Sequence, residues 1–263
     1  MDWSKTKTIF ILVFLILDIF LVYQYFEKRN SNQLEFIAES TFEERLKENE
    51  IKYSNLPKET TKERYLSAKS KNFSKDDMKK LKGQKVTIYD NQKIFSKLDK
   101  PFALGEKIYS EALDAFVKEN ILNGDQYKYW GVDEDSNAII YYQMHEEKMF
   151  YNNVNGKLTL FFNENKEILS YEQTLLENIE EFNEEEEVLP AIKAIETLYY
   201  KGYLRPKSEV TKVELGYYTL VQLTASHVLT PTWHVVIDGK EDLFVNAFEG
   251  QIIHLNTEEN ILE

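Results

Sequence analysis

The feature that most constrains this chain is an almost uncharged apolar run close to its N-terminus. Residues 8–26 read TIFILVFLILDIFLVYQYF and carry one charged side chain, that of Asp18. As an α-helix these nineteen residues would extend about 29 Å, which is close to the hydrocarbon thickness of a bilayer. Residues 24–29, at and just after the end of this run, lack the small-residue cleavage site of a secretory signal peptide. We therefore predict a retained single-pass transmembrane helix, with residues 1–29 as a short head and membrane anchor.

The charge pattern says little about which side of a membrane the remaining chain occupies. Lys5 and Lys7 precede the apolar run, and Lys28 and Arg29 follow it, so the positive-inside signal is weak. The whole chain has a formal net charge of −13, which disfavours nucleic acid and anionic lipid surfaces as partners. The chain has no cysteine, which excludes disulfides, zinc–thiolate sites and thiol catalysis.

The one break in composition is the acidic segment 177–187, which reads ENIEEFNEEEE. Like charges at this density repel one another, so we interpret the segment as a solvated connection or the start of a helix. Calcium binding is an alternative, but the alternating Asp/Asn and central Gly of an EF-hand loop are absent. The segment would separate a membrane-proximal α+β domain, residues 30–176, from a C-terminal α+β domain, residues 188–263.

The chain on the two sides of this segment shows an internal similarity at a constant offset of 83 residues. Two apolar faces at helical spacing correspond in this way: Ile108, Tyr109, Ala112 and Phe116 in the first, and Ala191, Ile192, Ile195 and Tyr199 in the second. The same offset relates Phe161-Phe162-Asn163 to Phe244-Val245-Asn246, in two predicted hairpins. The second hairpin has Gly250 in its turn, where a positive φ is expected. The predicted fold class is α+β, with two tandem units that each place one helix over an antiparallel meander.

Further strands are predicted from β-rich runs between each helix and its hairpin. These runs are Tyr127–Val132 and Ala138–Met144 in the first unit, and Val210–Thr224 and Pro231–Ile237 in the second. Between residues 30 and 100 the sequence predicts a smaller α/β piece. It consists of a short helix at Phe42 and Leu46, a helix start at Ser74–Asp77, and a hairpin of Gln84–Tyr89 with Lys93–Leu98 across Asp90-Asn91.

No motif of a known catalytic, metal or cofactor site occurs in the chain. The nucleophile elbow, the H-E-x-x-H zinc motif, the phosphate-binding loop and the dinucleotide fingerprint are all missing. Three of the four histidines, His227, His234 and His254, lie in the second unit, so a metal-dependent hydrolase is conceivable if the fold brings them together. Ordinary solvated or hydrogen-bonded histidines explain them equally well. We expect no enzymatic activity, no catalytic residues, no metal and no cofactor.

Asp18 is the residue of the apolar run with the clearest functional interpretation. A carboxylate near the bilayer centre costs on the order of 2.5–3.5 kcal/mol by insertion scales. Such a residue is expected to face another helix, unless a very hydrophobic segment simply tolerates a neutral Asp. The predicted partner-binding face of the helix consists of Phe14, Leu17, Asp18, Leu21 and Tyr25.

Several blocks of the sequence resemble those of YycI-type proteins of the YycH/YycI family. They are the head Trp3–Lys7 with the run ending LILDIFL, then Ser170–Thr174 (SYEQT), Leu215–Thr219 (LGYYT) and Pro231–Trp233 (PTW). Within them, Trp233–Ile253 is similar to a PepSY module, whose last hairpin carries Asp-Ala-x-x-Gly. In this chain the motif reads Asn246-Ala247-Phe248-Glu249-Gly250, so an Asn replaces the Asp.

The resemblance implies a bitopic regulatory protein, with a cytoplasmic N-terminus and most of the chain outside the cell membrane. Its implied partners are a YycG/WalK-type sensor histidine kinase, which controls cell-wall metabolism, and a YycH-type protein. Contacts between transmembrane helices and between ectodomains would carry the regulation. An alternative from another class is an extracytoplasmic binder or inhibitor of secreted wall hydrolases or peptidases, with the anchor as a tether only.

Overall fold

The computed structural model describes residues 3–53, 56–57, 61–105, 107–222 and 226–254. The chain is a mixed α+β protein in which strands predominate. It divides into two compact units, Met1–Lys52 with Leu204–Glu209, and Tyr53–Tyr203 with Val210–Glu263. The division of the chain at 177–187 into two domains stays a prediction.

The elements are numbered here in chain order. The helices are α1 (Trp3–Glu48), α2 (Lys75–Lys80), α3 (Glu111–Asn120) and α4 (Ala191–Tyr200), with a 3₁₀ turn at Gly124–Gln126. The strands are β1 (Lys52–Tyr53), β2 (Lys62–Ser70), β3 (Gln84–Tyr89), β4 (Lys93–Ala103), β5 (Tyr127–Asp133), β6 (Ala138–His145), β7 (Lys148–Tyr151), β8 (Lys157–Phe162), β9 (Glu167–Gln173), β10 (Leu176–Glu187), β11 (Glu209–Gln222), β12 (His227–Ile237), β13 (Glu241–Asn246) and β14 (Ile252–Ile253).

The first unit is dominated by the long helix α1, in which the predicted anchor and the predicted short helix at Phe42 and Leu46 are continuous. The helix ends in a Schellman arrangement: the Ile51 N–H donates to the Leu46 carbonyl (2.8 Å), and the Glu50 N–H donates to Lys47 (3.0 Å). Glu50 has a φ of 55°, the left-handed conformation that this helix end requires. Phe42 and Leu46 are buried.

The second unit contains both predicted helix-plus-meander segments. In the first segment, α3 is followed by antiparallel β5, β6, β8 and β9; in the second, α4 is followed by antiparallel β11, β12, β13 and β14. Leu113, Phe116 and Val117 of α3 are buried in the core of the first meander. In the second, α4 contacts β12. We refer to these strand sets as the first and the second meander.

Strands from the rest of the unit extend both meanders into one hydrogen-bonded path, β10-β2-β12-β11-β7-β6-β8-β9-β4-β3. The hairpin of β3 and β4 turns at Asp90 and Asn91, as predicted, and both residues have positive φ. Gly250 has a φ of +69°, as predicted. Beside it, Asn246 Oδ1 accepts the N–H groups of Phe248 (2.9 Å) and Glu249 (3.2 Å), so the amide supplies the acceptor that this turn needs.

The two meanders meet where β7 pairs in parallel with β11. Phe150 lies opposite Tyr217, and Tyr151 lies opposite Tyr218. β7 forms a tight turn with β6 through Glu146 and Glu147, both at positive φ. The short strand therefore connects the end of β6 in the first meander to the β11 edge of the second.

The acidic segment 177–187 was expected to be a connection or the start of a helix, and that interpretation is wrong. The segment lies in β10, which pairs antiparallel with β2 along the end of the hydrogen-bonded path. Bases on and after β2 reduce the repulsion, since Arg64 pairs with Glu181 and Lys71 lies 3.0 Å from Glu177. Ile179 packs against a buried cluster that includes Leu66 and Tyr217.

The predicted apolar face of the first helix is also displaced. Ser110 caps α3, its side chain accepting the Leu113 N–H, so the helix begins only at Glu111. Ile108 and Tyr109 therefore precede the helix, and Ala112 is exposed where Leu113 is buried. The cap fixes the start of the helix, and the start decides which residues face the core.

Candidate functional site

The predicted partner-binding face lies in the first half of α1. Phe14, Leu17 and Leu21 expose 58%, 46% and 51% of their surface, and Asp18 is exposed. The side chain of Tyr25 lies outside the described residues. Within the part of the chain that the structure describes, none of the helices has the combination of length and apolar character that a bilayer crossing requires. The transmembrane span and its partner-binding face therefore stay predictions.

The three histidines of the second meander have separate surroundings. His227 Nε2 lies 2.8 Å from Ser70 Oγ, His234 Nε2 lies 2.6 Å from Asp242 Oδ1, and His254 is exposed. Among the described residues, no group of three or more His, Cys, Asp or Glu side chains is placed to hold a metal ion. The structure therefore assigns two of these histidines to local hydrogen bonds.

Replacing His227 by glutamine is expected to flatten the pH dependence of stability below pH 6.5. Burial lowers the pKa of His227, so below about pH 6.5 the unfolded chain binds a proton that the folded chain does not. The contribution of neutral His227 to the free energy of unfolding is complete above that pH. It decreases as the pH falls, by no more than about 1.4 kcal/mol per pH unit. Urea denaturation at pH 7.5 and 5.5 measures the difference.

A suitable control for this experiment is His254→Gln, which removes a histidine from an exposed position. It is expected to retain the wild-type loss of stability between the two pH values, whereas His227→Gln should lose less. Glutamine can still bond to Ser70, so the comparison isolates the proton from the hydrogen bond. Identical slopes for His227→Gln and the wild type would contradict the assignment.

A polar group among aromatic rings marks the place where the two meanders meet. His234 of β12 is 2% exposed, and its ring lies 5.0 Å from that of Trp130, 5.0 Å from Tyr151 and 5.1 Å from Phe244. These rings come from β5, β7 and β13, so strands of both meanders build the cluster. Burial raises the pKa of the Tyr151 hydroxyl above its usual range.

An open cavity of about 360 Å³ lies beside this cluster. Its walls combine β5 residues, including Trp130, with charged side chains of the second meander. Lys212 and Glu214 form an ion pair of 2.9 Å, and the Asp242 side chain, bonded to His234, remains 40% exposed. Aromatic rings and a carboxylate together can recognise a cationic ligand.

A partly buried ion pair also lies at the junction, the place where the two meanders meet. Lys148 Nζ of β7 lies 2.9 Å from both carboxylate oxygens of Glu63 on β2, and the Tyr217 hydroxyl of β11 donates to the same carboxylate at 3.0 Å. Burial and the neighbouring Glu63 raise the pKa of Tyr217 above its usual range. The network joins three strands that are distant in sequence.

Sequence reasoning did not identify either polar group of the junction. Trp130 and Asp242 were visible only as residues of predicted strands, and His234 only as a conceivable metal ligand, because no periodicity relates one strand face to another. One signal was present: a glycine, Gly216, interrupts a β-rich run within the LGYYT block, which is typical of close backbone approach.

The solved structures that this chain matches include three at low sequence identity. An uncharacterized protein from Eubacterium rectale has a TM-score of 0.48 and 11% identity, covering 78% of this chain and 91% of that one. YycH from Bacillus subtilis has a TM-score of 0.40 and 13% identity, covering 74% and 54%. The C-terminal domain of YpeB from Bacillus megaterium has a TM-score of 0.39 and 12% identity, covering 69% and 96%.

Comparison at the level of sequence identifies the family. No curated protein shows significant sequence similarity to this chain. The family model described as YycI protein matches residues 30–248, which include most of the chain and the three blocks SYEQT, LGYYT and PTW. The chain belongs to the YycI protein family.

Proposed function

We propose that this chain is a membrane-anchored accessory regulator of a YycG/WalK-type sensor histidine kinase that controls cell-wall metabolism, acting with a YycH-type protein. The single observation that carries the proposal is the family match over residues 30–248, because the YycI family is a regulatory family associated with the YycG/WalK system. In this proposal the chain has no catalytic role.

The proposed topology is a single membrane pass, with the N-terminus in the cytoplasm and the residues after the anchor outside the cell membrane. Two features support it. Residues 8–26 form an apolar run within one helix, and the large side chains described there, from Phe10 to Tyr23, are more than 45% exposed. Exposed apolar side chains at this density are costly in water, whereas lipid or a second helix would cover them.

The proposed mechanism is a difference in affinity for two states of the kinase. If α1 packs better against one arrangement of the kinase helices, its binding shifts the equilibrium towards that arrangement. A difference of about 1.4 kcal/mol changes the ratio of the two states tenfold, so a few helix contacts are sufficient. Contacts made by the ectodomain with the kinase or the YycH-type protein would bias the same equilibrium.

Co-purification of the kinase from membranes tests the proposal. We compare the wild type with Asp18→Leu, with Leu21→Ala, and with a chain whose residues 8–26 are replaced by an unrelated neutral apolar helix. Recovery of the kinase is expected to fall severalfold on replacement of the segment, and to fall for both point variants, because they alter the predicted face. Protein amount in the membrane is measured for each variant, so that loss of expression is not taken for loss of binding.

Leu12→Ala is the matched control for Leu21→Ala. Both leucines lie on α1 with similar exposure, 58% and 51%, but Leu12 projects about 120° from Asp18 and lies opposite the centre of the predicted face. It should leave recovery unchanged. Equal recovery for all variants would overturn recognition through this helix and would favour the alternative, an ectodomain that binds secreted wall hydrolases or peptidases while the anchor only tethers it.

A further inference from the structure

The strand β5 presents a free edge. Among the described strands, it pairs only with β6. The opposite side of β5 therefore carries backbone N–H and C=O groups that a strand from another chain could pair with, in two short rows that meet at the register shift between Tyr129 and Gly131. Addition of an extended segment to such an edge is a common mode of peptide recognition, in which backbone bonds supply affinity and pockets for alternate side chains supply specificity.

Open space follows this edge along almost its whole length. A groove of about 710 Å³ is lined by Tyr127, Lys128 and Tyr129, and the 360 Å³ cavity described above is lined by residues 129–132. The two share Tyr129. At Gly131, a Cβ atom would meet no other heavy atom within 4 Å. An added strand and its side chains therefore have room beside β5.

Aromatic rings lie on both parts of this surface. The rings of Tyr109 and Tyr129 lie 4.4 Å apart in the larger groove, and the half-buried Trp130 lines the smaller cavity. Faces of Tyr and Trp attract the cationic groups of Lys and Arg as well as apolar side chains. The ring faces thus favour a segment that combines apolar and basic residues.

The charged residues that line the larger groove and the smaller cavity also favour a basic segment. The larger groove is lined by three carboxylates, Asp114, Asp125 and Glu147, and by two ammonium groups, Lys118 and Lys128. The smaller cavity is lined by two carboxylates, Glu214 and Asp242, and by one ammonium group, Lys212. Lys212 already pairs with Glu214. Asp242 and Trp130 line the same smaller cavity, which offers a cationic side chain a carboxylate and an aromatic ring.

We propose that the free edge of β5 binds an extended, basic segment of a partner protein by strand addition, with a Lys or Arg side chain seated by Trp130 and Asp242. The seven residues of β5 extend about 23 Å, which sets the length of the recognised segment at six to seven residues. The inference goes beyond the proposed function, because it concerns the ectodomain surface and does not depend on α1 or on the identity of the kinase.

The experiment selects peptides from a random heptapeptide phage library on the full chain purified in detergent. Enriched sequences are expected to alternate β-branched or aromatic residues with at least one Lys or Arg. The most enriched peptide is then synthesised in three forms: unmodified, and N-methylated at either of the two alternate sets of residues. In an added strand, alternate residues direct their N–H groups towards β5, and the other residues direct them away from it. Methylation of the first set should therefore abolish binding, and methylation of the second set should preserve it.

The protein variants are Asp242→Asn and Asp125→Asn, with Asp90→Asn as the control. Asp125 and Asp90 are exposed, and Asp90 lies in the β3–β4 turn, away from both grooves. Each groove variant is expected to weaken peptide binding at least about fivefold, because it removes a carboxylate that faces the basic side chains. Asp125 has no contact with His234 in the structure, so its effect does not depend on the junction cluster.

Several results would overturn the proposal. They are failure to enrich any peptide, enrichment of acidic peptides, equal binding by the two methylated forms, and equal binding by the two groove variants and the control. A concentration-dependent dimer of the chain itself, dissociated by the peptide, would assign the edge to a second copy instead. The kinase recovery experiment is unaffected by any of these results, so the two proposals fail independently.

Discussion

Replacing Gly216 by alanine is expected to destabilise the chain by about 3 kcal/mol, because it forces the two meanders apart. A Cβ atom at this position would lie 2.4 Å from Cε2 of Tyr151 and 2.5 Å from the Met149 carbonyl oxygen. The carbonyl is part of the backbone of β7, so it cannot retreat without disturbing the parallel pairing of β7 with β11. Urea denaturation followed by circular dichroism gives the free energy of unfolding.

Gly131→Ala is the matched control for this substitution. Gly131 also lies in a strand, has no positive φ, and would place its Cβ in open space. Alanine there is expected to leave the free energy of unfolding unchanged or to raise it by up to about 1 kcal/mol, since it reduces the freedom of the unfolded chain. A loss at Gly216 no larger than that at Gly131 would contradict close packing at the junction.

The parts of the fold that sequence predicted are those decided by neighbouring residues. The strands β5, β6, β11 and β12 and the turns at Asp90-Asn91 and Gly250 follow from local pattern and from backbone conformations available to those residues. The apolar face of α3 was displaced because the cap at Ser110, rather than the periodicity alone, decides where the helix starts. Reasoning from neighbouring residues therefore predicts that a helix or strand exists more reliably than it predicts the residue at which the element begins.

The parts that sequence did not predict depend on contacts between distant segments. The acidic run 177–187 repels itself when considered alone, and becomes a strand only because β2 supplies hydrogen bonds and basic side chains. In the same way, β7 is too short to indicate a partner, and its parallel pairing with β11 decides where Trp130 and His234 meet. The family resemblance, by contrast, could be recognised from the short sequence blocks SYEQT, LGYYT and PTW, because comparing such blocks does not require knowing which residues are in contact.

Breaking the buried ion pair at the junction should give the other large effect on stability. Lys148→Met leaves the Glu63 carboxylate, whose side chain is 9% exposed, without its opposite charge. Removing one partner of a buried pair costs about 3–5 kcal/mol; we expect about 2–3 kcal/mol here, because Lys148 is 26% exposed and water screens it in part. The double variant Lys148→Met with Glu63→Gln should recover at least half of the loss, since the amide carries no charge and can still accept the Tyr217 hydroxyl.

Lys79→Met is the control, because it removes a lysine from an exposed pair of similar length. Lys79 lies 2.7 Å from Asp76, and their side chains are 77% and 82% exposed. Since solvent screens such pairs, this substitution should change the free energy of unfolding by less than about 0.5 kcal/mol. The contrary result is a double variant whose loss in free energy of unfolding equals the sum of the losses of Lys148→Met and Glu63→Gln. The carboxylate and the ammonium would then not act as a pair, and the packing of the Lys148 side chain against β2 would account for the effect.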